Sequence, residues 1–588
     1  MNLVTSDNFK LFEKKNKKNI LIGSWCLLND QIKESFNKGN DVIAKYHWDD
    51  KKKLSLDIPY IEKVYKYFLD QLTKNLNSFH KTDYDQNIWQ IMLGMWLKIY
   101  VSFLFDRWEQ TDYVFKNFPI SEAKLVKFDE ERFITSSQLN FWISIHHTNW
   151  NHWIFSKIIE NKKKINFSYI EDFVQLKKKP SFEIGKEKNY LDLFNKYFSK
   201  FIPKQNLVIS SLYLPKLYKL KLLLRYNKFI IKNNFEKKDI KKVDINLRKN
   251  TLNNIKGFDD FTNFVSSLLY LNLPCSFFEN FKSFNTQAKD KSVPQNPKMI
   301  LTSTEYLFND FFKIYCAYQK RQYGSKIIFF QHGSYFNLEY ALGDDFEAEI
   351  SDKFLTYGLS TVPNKTIPLF MFNIVNEKVK KEQTSKGIIV SHFFSMSFPS
   401  EYNSLPRYYS DTISYNNIIF NFVNNINKTI LLNTHIKVKS GNIYHKNDFP
   451  INSLKKLLPK INFIKNKKSI WEISKKYKIV VETLNGTGFL EAMHLNIPVV
   501  LLINPKINQY NLKHKDYYDQ LRNVNILHED GKKAAEFVNS VYENPQKWWN
   551  DKKTQEVRNF FCSKFACYKK NPYLELTNVL DKILYQNQ

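Results

Sequence analysis

Short β-branched and aromatic runs alternate along this chain with stretches in which apolar residues recur every three or four positions, the pattern of strands feeding helices. Ile479–Val481 is one such run, fit for a buried parallel strand, and a small polar turn ending at Gly488 follows it. A helix is predicted over Phe489–Leu495, stopped by Asn496-Ile497-Pro498, with a second apolar run at Val499–Ile503. Strand, turn, short helix and strand make a right-handed βαβ unit. Further strands are predicted at Asn19–Gly23, Leu139–Ile145, Asn206–Ser211, Lys298–Thr302, Lys326–Phe330, Lys353–Tyr357, from Gly387 onward, and at Lys428–Leu432. Helices are predicted over residues 57–116, over Leu307–Tyr323 with a stop at Gly324, from Asp530 onward, and over Lys552–Phe565. Strands and helices in alternation imply doubly wound parallel sheets. Trp89, Leu93, Trp96 and Tyr100 have core spacing. The surrounding run Ile88–Phe105 is the most hydrophobic, but Gln90 and Lys98 interrupt it and Asp106-Arg107 close it. It reads as a core helix, because a membrane span needs ~20 cleanly apolar residues.

A chain of 588 residues exceeds what one core can hold. The expected organisation is an N-terminal Rossmann-like domain with helical insertions over residues 1–360, a Pro/Asn/Lys-rich linker over 361–386, and a C-terminal Rossmann-like domain over 387–588 whose final helix crosses back. Apolar residues at 43% and aromatic residues at 16% exclude a disordered chain. With 14 Gly, Gly-rich phosphate loops are scarce. The net charge of +30 favours polyanions such as nucleotide phosphates or anionic headgroups, but no nucleic-acid module accompanies it. Five scattered Cys without a Cys-x-x-Cys pair, and a start lacking an apolar signal core, point to reduced thiols and the cytoplasm.

Candidate chemistry gathers at predicted strand ends. Glu482 closes one strand and Glu491 lies in the helix after it, where carboxylates can accept hydrogen bonds from ribose or sugar hydroxyls. Gly486 and Gly488 can take positive φ or admit a ligand to the backbone, and Thr487 opens a helix whose N–H groups suit a phosphate. His332, followed by Gly333, stands at another strand end, placed for phosphate contact or proton transfer. Ser391 and His392 end the first strand of the C-terminal series. His47 with Asp50 reads as an acid/base pair or as a loop that pins Trp48. His146, His147 and His152 lack helix-face metal spacing, and Asp83-Tyr84-Asp85 falls in a predicted interhelix loop, so no metal is expected.

Several stretches, in matching order over nearly the whole chain, resemble the bacterial LIC-type transferases of surface-carbohydrate loci. They are Leu21-Ile-Gly-Ser-Trp-Cys-Leu27, Tyr46-His-Trp-Asp-Asp50, Leu93-Gly-Met-Trp96, Phe105-Asp-Arg-Trp108, Gln331-His-Gly333, Ile350-Ser-Asp-Lys-Phe354 with Thr356-Tyr-Gly358, Ser391-His-Phe393, Thr487-Gly-Phe-Leu-Glu-Ala492 with Asn496-Ile-Pro498, and Trp548-Trp549. The resemblance implies a GT-B-like, metal-independent glycosyltransferase, two Rossmann-like domains facing across a cleft, with a nucleotide sugar as donor and a glycan, lipid-linked or protein acceptor. On that reading Gly333, Ser391, His392, Glu482, Gly486, Thr487, Gly488 and Glu491 bind the donor. His332 contacts phosphate or moves a proton, and Asp49 or Asp50 activates the acceptor hydroxyl. Departures from the family pattern are Ser334-Tyr335-Phe336-Asn337 after Gly333, the Gly486-Thr487-Gly488 turn, and no Arg near Asn433-Thr434-His435, which leaves Lys437 or Lys439 as phosphate partner. The expected location is cytoplasmic, with peripheral contact at the inner face of an anionic membrane. The alternatives are a CDP-glycerol-type phosphotransferase and a non-catalytic protein that binds glycan or membrane.

Overall fold

The structure, a computed structural model, describes residues 1–13, 17–37, 39–171, 207–226, 228–230, 242–290, 293–334, 345–379, 385–392, 409–439, 449–466, 468–507 and 510–585. Asn206, Tyr335 to Asn337, the turn after His392 and residues 380–384 of the expected linker lie outside them. The chain divides into two compact units, residues 1–212 with 221–327 and residues 213–220 with 328–588.

The first unit opens with a parallel sheet that the pattern announced only at one strand. Its strands are β1 (Asn2–Val4), β2 (Asn19–Leu21), β3 (Val42–Ile43), β4 (Glu122–Lys127) and β5 (Asn166–Glu171), in the order β3-β2-β1-β4-β5. Two or three apolar residues at a time are too short a signal to separate from a loop. Two long helices, Lys51–His80 and Gln86–Asn117, follow. Asp50 caps the first by accepting from the N–H groups of Lys52 and Lys53, and Asp85 caps the second through Ile88 N–H. The second is apolar and long enough to cross a membrane, yet 94% of its most apolar window is buried within the protein. Trp89, Leu93, Trp96 and Tyr100 are fully buried on it.

Leu139–Ile145 is a correction: Gln138–Ile145 is a helix. Ser137 caps it through Asn140 N–H, and its buried residues Gln138, Phe141 and Ile145 follow helical spacing. Leu307–Tyr323 is broken into Glu305–Phe308 and Asp310–Tyr323 because Asn309 turns out of the helix and caps the second piece. Gly324, at φ +69°, ends it as expected.

A second parallel sheet contains β6 (Leu207–Ser210), β7 (Lys228–Ile230), β8 (Met299–Thr302), β9 (Lys326–Phe330), β10 (Lys353–Thr356) and β11 (Thr366–Pro368), ordered β11-β10-β9-β8-β6-β7. The third sheet, in the second unit, contains β12 (Ile388–His392), β13 (His435–Lys439), β14 (Asn462–Asn466), β15 (Ile479–Glu482), β16 (Val499–Leu502) and β17 (Leu527–His528). Its order β14-β13-β12-β15-β16-β17, every pair parallel, is that of a doubly wound nucleotide-binding sheet. The chain is α/β with Rossmann-like parallel sheets, as expected, but the N-terminal sheet makes three sheets where two were foreseen.

Ile388, Val390, Ile436, Ile479, Val481, Val500 and Leu502 fill the core of the third sheet, against Ile419, Phe422, Ala534 and Val538 of its flanking helices. The predicted strand Lys428–Leu432 is instead a short helix, Lys428–Leu431, before β13. Only Ile430 of that run is buried and Leu432 is 85% exposed, so the run lacks the two-sided burial of a central parallel strand. Lys552–Phe565 is a helix but not the last, since Pro572–Tyr585 follows.

Candidate functional site

In the third sheet the strand order reverses between β12 and β15, and open α/β sheets bind ligands outside the carboxyl ends of the strands at that point. Ser391 and His392 end β12, and Glu482 ends β15. Their side chains meet: Ser391 Oγ donates to Glu482 Oε2 at 2.5 Å, and Thr483 Oγ1 donates to Ser391 O at 2.7 Å. Glu482 Oε1 is buried without a hydrogen-bond partner among the described residues. Burial pushes the Glu482 carboxyl up to about 8, with nearby Glu491 adding to the rise while the Ser391 hydroxyl and Lys437 oppose it.

The helix Thr487–His494 begins beside this carboxyl, and no side chain caps it. Of the two roles expected for Gly486 and Gly488, positive φ is not one they use. Gly486 is an extended N-cap residue at φ −119°, and Gly488 is helical, so neither uses positive φ. What demands glycine at 488 is space: a Cβ there would stand 2.6 Å from Glu482 Oε1. The turn therefore lets a carboxyl approach the first turn of the helix. Thr487 Oγ1 accepts from Ser334 N–H at 3.2 Å, so the segment carrying His332 and Gly333 reaches the start of this helix.

Gln331 shapes that segment, donating through Nε2 to Gly333 O at 2.8 Å and accepting from Tyr357 N–H at 2.8 Å. His332 is half-buried, its ring 6.0 Å from that of Tyr213. Glu491, on the next turn of the helix, accepts at Oε1 from Asn373 Nδ2 at 2.5 Å. Burial pushes its carboxyl up to about 7, opposed by the Asn373 hydrogen bond. His392 is buried, its Nε2 3.1 Å from Asn416 Oδ1, and burial pushes it down to about 4. It is a neutral hydrogen-bonding group near pH 7, not a cation.

The structure thus brings Gly333, Ser391, Glu482, Gly486, Thr487, Gly488 and Glu491 into one linked cluster, with His332 next in sequence to Gly333 and His392 next to Ser391. Asn373 escaped the sequence reading, and Tyr357 entered it only at the end of a predicted strand and within Thr356-Tyr-Gly358, without a role. Asn373 lies in the segment taken for a linker, and nothing local announces that it reaches Glu491 across 118 positions.

Asp49 and Asp50 belong to the other unit. Asp50 is the helix cap already described, and Asp49 lies exposed on the short turn His47–Asp49. The pairing of His47 with Asp50 is a correction: His47 Nε2 lies 3.0 Å from Asp106 Oδ1. Tyr46 and Arg107 also bind Asp106, and despite full burial Arg107 and His47 hold its carboxyl low. A buried carboxylate with three partners outcompetes an exposed cap for the imidazole. His147 caps the helix Thr148–Lys162. His152 is buried, bonded to Thr5 Oγ1 at 2.6 Å and to Val126 N–H at 3.0 Å.

The sequence matches the LIC12162 family transferase over residues 1–580. No curated protein sequence matches it. Among solved structures, apo OtsA is similar over 65% of this chain and 99% of its own, at 10% identity and a TM-score of 0.37. MurG of Acinetobacter baumannii is similar over 65% of this chain and 100% of its own, at 9% identity and 0.33. The wall teichoic acid polymerase TagF is similar over 67% and 92%, at 9% identity and 0.33.

Proposed function

The chain belongs to the LIC12162 transferase family, and from that premise we propose that it is a glycosyltransferase. It moves a sugar from a nucleotide-activated donor to a cell-surface glycan, a lipid-linked acceptor or a protein, without a bound metal. One observation carries this reading: Ser391 and Glu482 meet at the strand-order reversal of the third sheet, beside an uncapped helix start. That is where a doubly wound sheet holds a nucleotide, with hydroxyls on strand-end carboxyls and phosphate on helix N–H groups.

In the transfer, the bond between the anomeric carbon and the phosphate oxygen breaks. The acceptor oxygen takes the carbon and loses its proton to a base. Negative charge grows on the departing phosphate. The N–H groups of Thr487 and Gly488, the positive end of their helix, the His332 imidazole and the Lys437 ammonium stabilise it there. Glu482 and Glu491 take donor hydroxyls. Attachment to an anionic membrane belongs to this reading. It is supported by the helix Lys216–Arg225, which exposes Leu217, Leu220 and Leu224 among Lys216, Lys219, Lys221 and Arg225. Vesicle binding with and without anionic lipid tests that part.

The transfer itself is tested by incubating the full chain with nucleotide sugars and acceptor glycans and weighing the product. The reading predicts a glycosylated product without added phosphorus, and a loss of about 10²-fold in turnover for His332→Ala. A product that gains a phosphodiester would make the protein a phosphotransferase instead. An unmodified acceptor and an unchanged cell-surface glycan in the His332→Ala strain would leave a binding protein.

A further inference from the structure

The first unit contains a cavity of about 830 Å³ that the proposed transfer does not use, a volume within the ~300–1,000 Å³ typical of small-molecule sites. It lies among the helices Lys51–His80 and Gln86–Asn117, the end of Thr148–Lys162 and the segment Asp259–Phe261. Lys164, in its wall, stands just before β5, so the cavity is at the amino end of that strand. Doubly wound sheets take nucleotides at their carboxyl ends, and this cavity is therefore no second nucleotide crevice.

Four aromatic rings meet in the wall. Phe105, Trp108 and Phe261 are buried, whereas Tyr60 keeps a water-facing surface. The Tyr60 ring centroid is 5.4 Å from that of Phe105 and 6.2 Å from that of Phe261, and its hydroxyl donates to Asp259 Oδ2 at 2.7 Å. These contacts fix the plane of the ring. Around it the charges are paired. Lys53 Nζ donates to Glu109 Oε2 at 2.7 Å, and Lys162 Nζ donates to Asp112 Oδ2 at 2.7 Å. The Lys162 ammonium also sits 3.4 Å from the centre of the Trp108 ring, which leaves Tyr60 as the platform for a ligand. Asn161 and Asp260 are exposed at the cavity's outer end.

This lining sorts ligands by class. An anion would face the carboxylates of Glu109, Asp112, Asp259 and Asp260. A cation would compete with Lys53 and Lys162 for Glu109 and Asp112, and Asp259 is engaged by Tyr60 and by the Thr262 N–H at 2.8 Å. A hydrocarbon would take the ion pairs out of water and give them nothing to bond. A sugar ring meets every demand. Its C–H face is apolar and packs on an aromatic ring. Its hydroxyls donate to the carboxylate lone pairs that the lysines leave open, and accept from ammonium or amide N–H groups.

We infer that this cavity is a carbohydrate site distinct from the donor site of the second unit, with Tyr60 as stacking platform and Glu109, Asp112 and Asn161 binding hydroxyls of a neutral oligosaccharide. It holds a stretch of the acceptor glycan. That role rests on the glycosyltransferase reading, whereas the binding itself does not.

The probe is surface polysaccharide from the cells that make the protein, cleaved into oligosaccharides of graded length and titrated calorimetrically into the full chain without nucleotide. Expected is binding of neutral fragments by the wild type, weakened about tenfold or more by Tyr60→Ala and about fivefold by Asn161→Ala, the loss of a ring contact and of one hydrogen bond. Tyr60→Phe keeps the ring and should bind within about threefold of the wild type, which separates stacking from the bond to Asp259. Asn161 is exposed at a helix end, so its variant folds even if Tyr60→Ala does not. No fragment bound by the wild type, equal binding by Tyr60→Ala and Asn161→Ala, or binding confined to fragments that carry carboxylate or phosphate would overturn the site. Transfer of sugar onto fragments in any of those cases would leave the glycosyltransferase reading in place. Fragments held through Tyr60 and Asn161 but never extended with any nucleotide sugar would keep the site and overturn the acceptor role together with that reading.

Discussion

Glu482 and Glu491 are two carboxyls that the fold holds away from water, and their titration ties stability to pH. Both are pushed above the ordinary value of 4.5, to about 8 and about 7, chiefly by burial. The folded state therefore keeps protons that the unfolded chain gives up. The stability this confers is complete below about pH 4.5 and is lost as pH rises through about 7 to 8. Melting of the wild type followed from pH 5 to pH 9 should show a falling midpoint, and Glu482→Gln should flatten the decline. A decline of the same size in that variant would mean other groups cause it. Gly488→Ala tests the same contact sterically, because the new methyl meets Glu482 Oε1. It should cost about 1–3 kcal/mol in a denaturant titration. The carboxylates and the turn were legible in the sequence, because a strand-end glutamate and a helical one flank a small-residue turn. The reason for the glycine was not, since its crowding comes from a side chain six positions earlier whose direction no local pattern encodes.

Helices show why some elements were legible and others were not. Gln86–Asn117 announced itself by its length and by apolar residues on every face, which is how a helix buried all round reads. Gln138–Ile145 was mistaken for a strand because eight residues give barely two turns, too few to reveal a 3.6 period within an apolar run. The cap at Asp50 makes a sharper point. Its carboxylate is engaged by two N–H groups at the start of a thirty-residue helix, a structural task that competes with acid–base work. Asp50→Ala should cost about 0.5–2 kcal/mol of stability, read in urea, while transfer activity per folded molecule stays within about twofold. A stable variant that loses activity 10²-fold would return Asp50 to the chemistry.

At the scale of the whole molecule, the strand–helix alternation foretold parallel sheets, and β12, β15 and β16 of the third sheet fell where the apolar runs lie, whereas β13, β14 and β17 were not foreseen. The N-terminal sheet was largely hidden, because β1 and β3 are three and two residues long and draw their identity from parallel partners far away in sequence. The strand order of the third sheet could not be read from one sequence either, since it depends on which buried strands neighbour one another. Yet that order is what turns Ser391 and Glu482 from two scattered polar residues into one site. The central claim is that a nucleotide-activated donor binds there. Its most direct measurement is thermal unfolding of the wild type, Ser391→Ala and Glu482→Gln with a saturating nucleotide sugar. The claim predicts that ligand at 100 times its dissociation constant stabilises the wild type by about 2.7 kcal/mol, and that both substitutions remove most of this at the same concentration. Full stabilisation in both variants, or none in the wild type with any nucleotide, would contradict it.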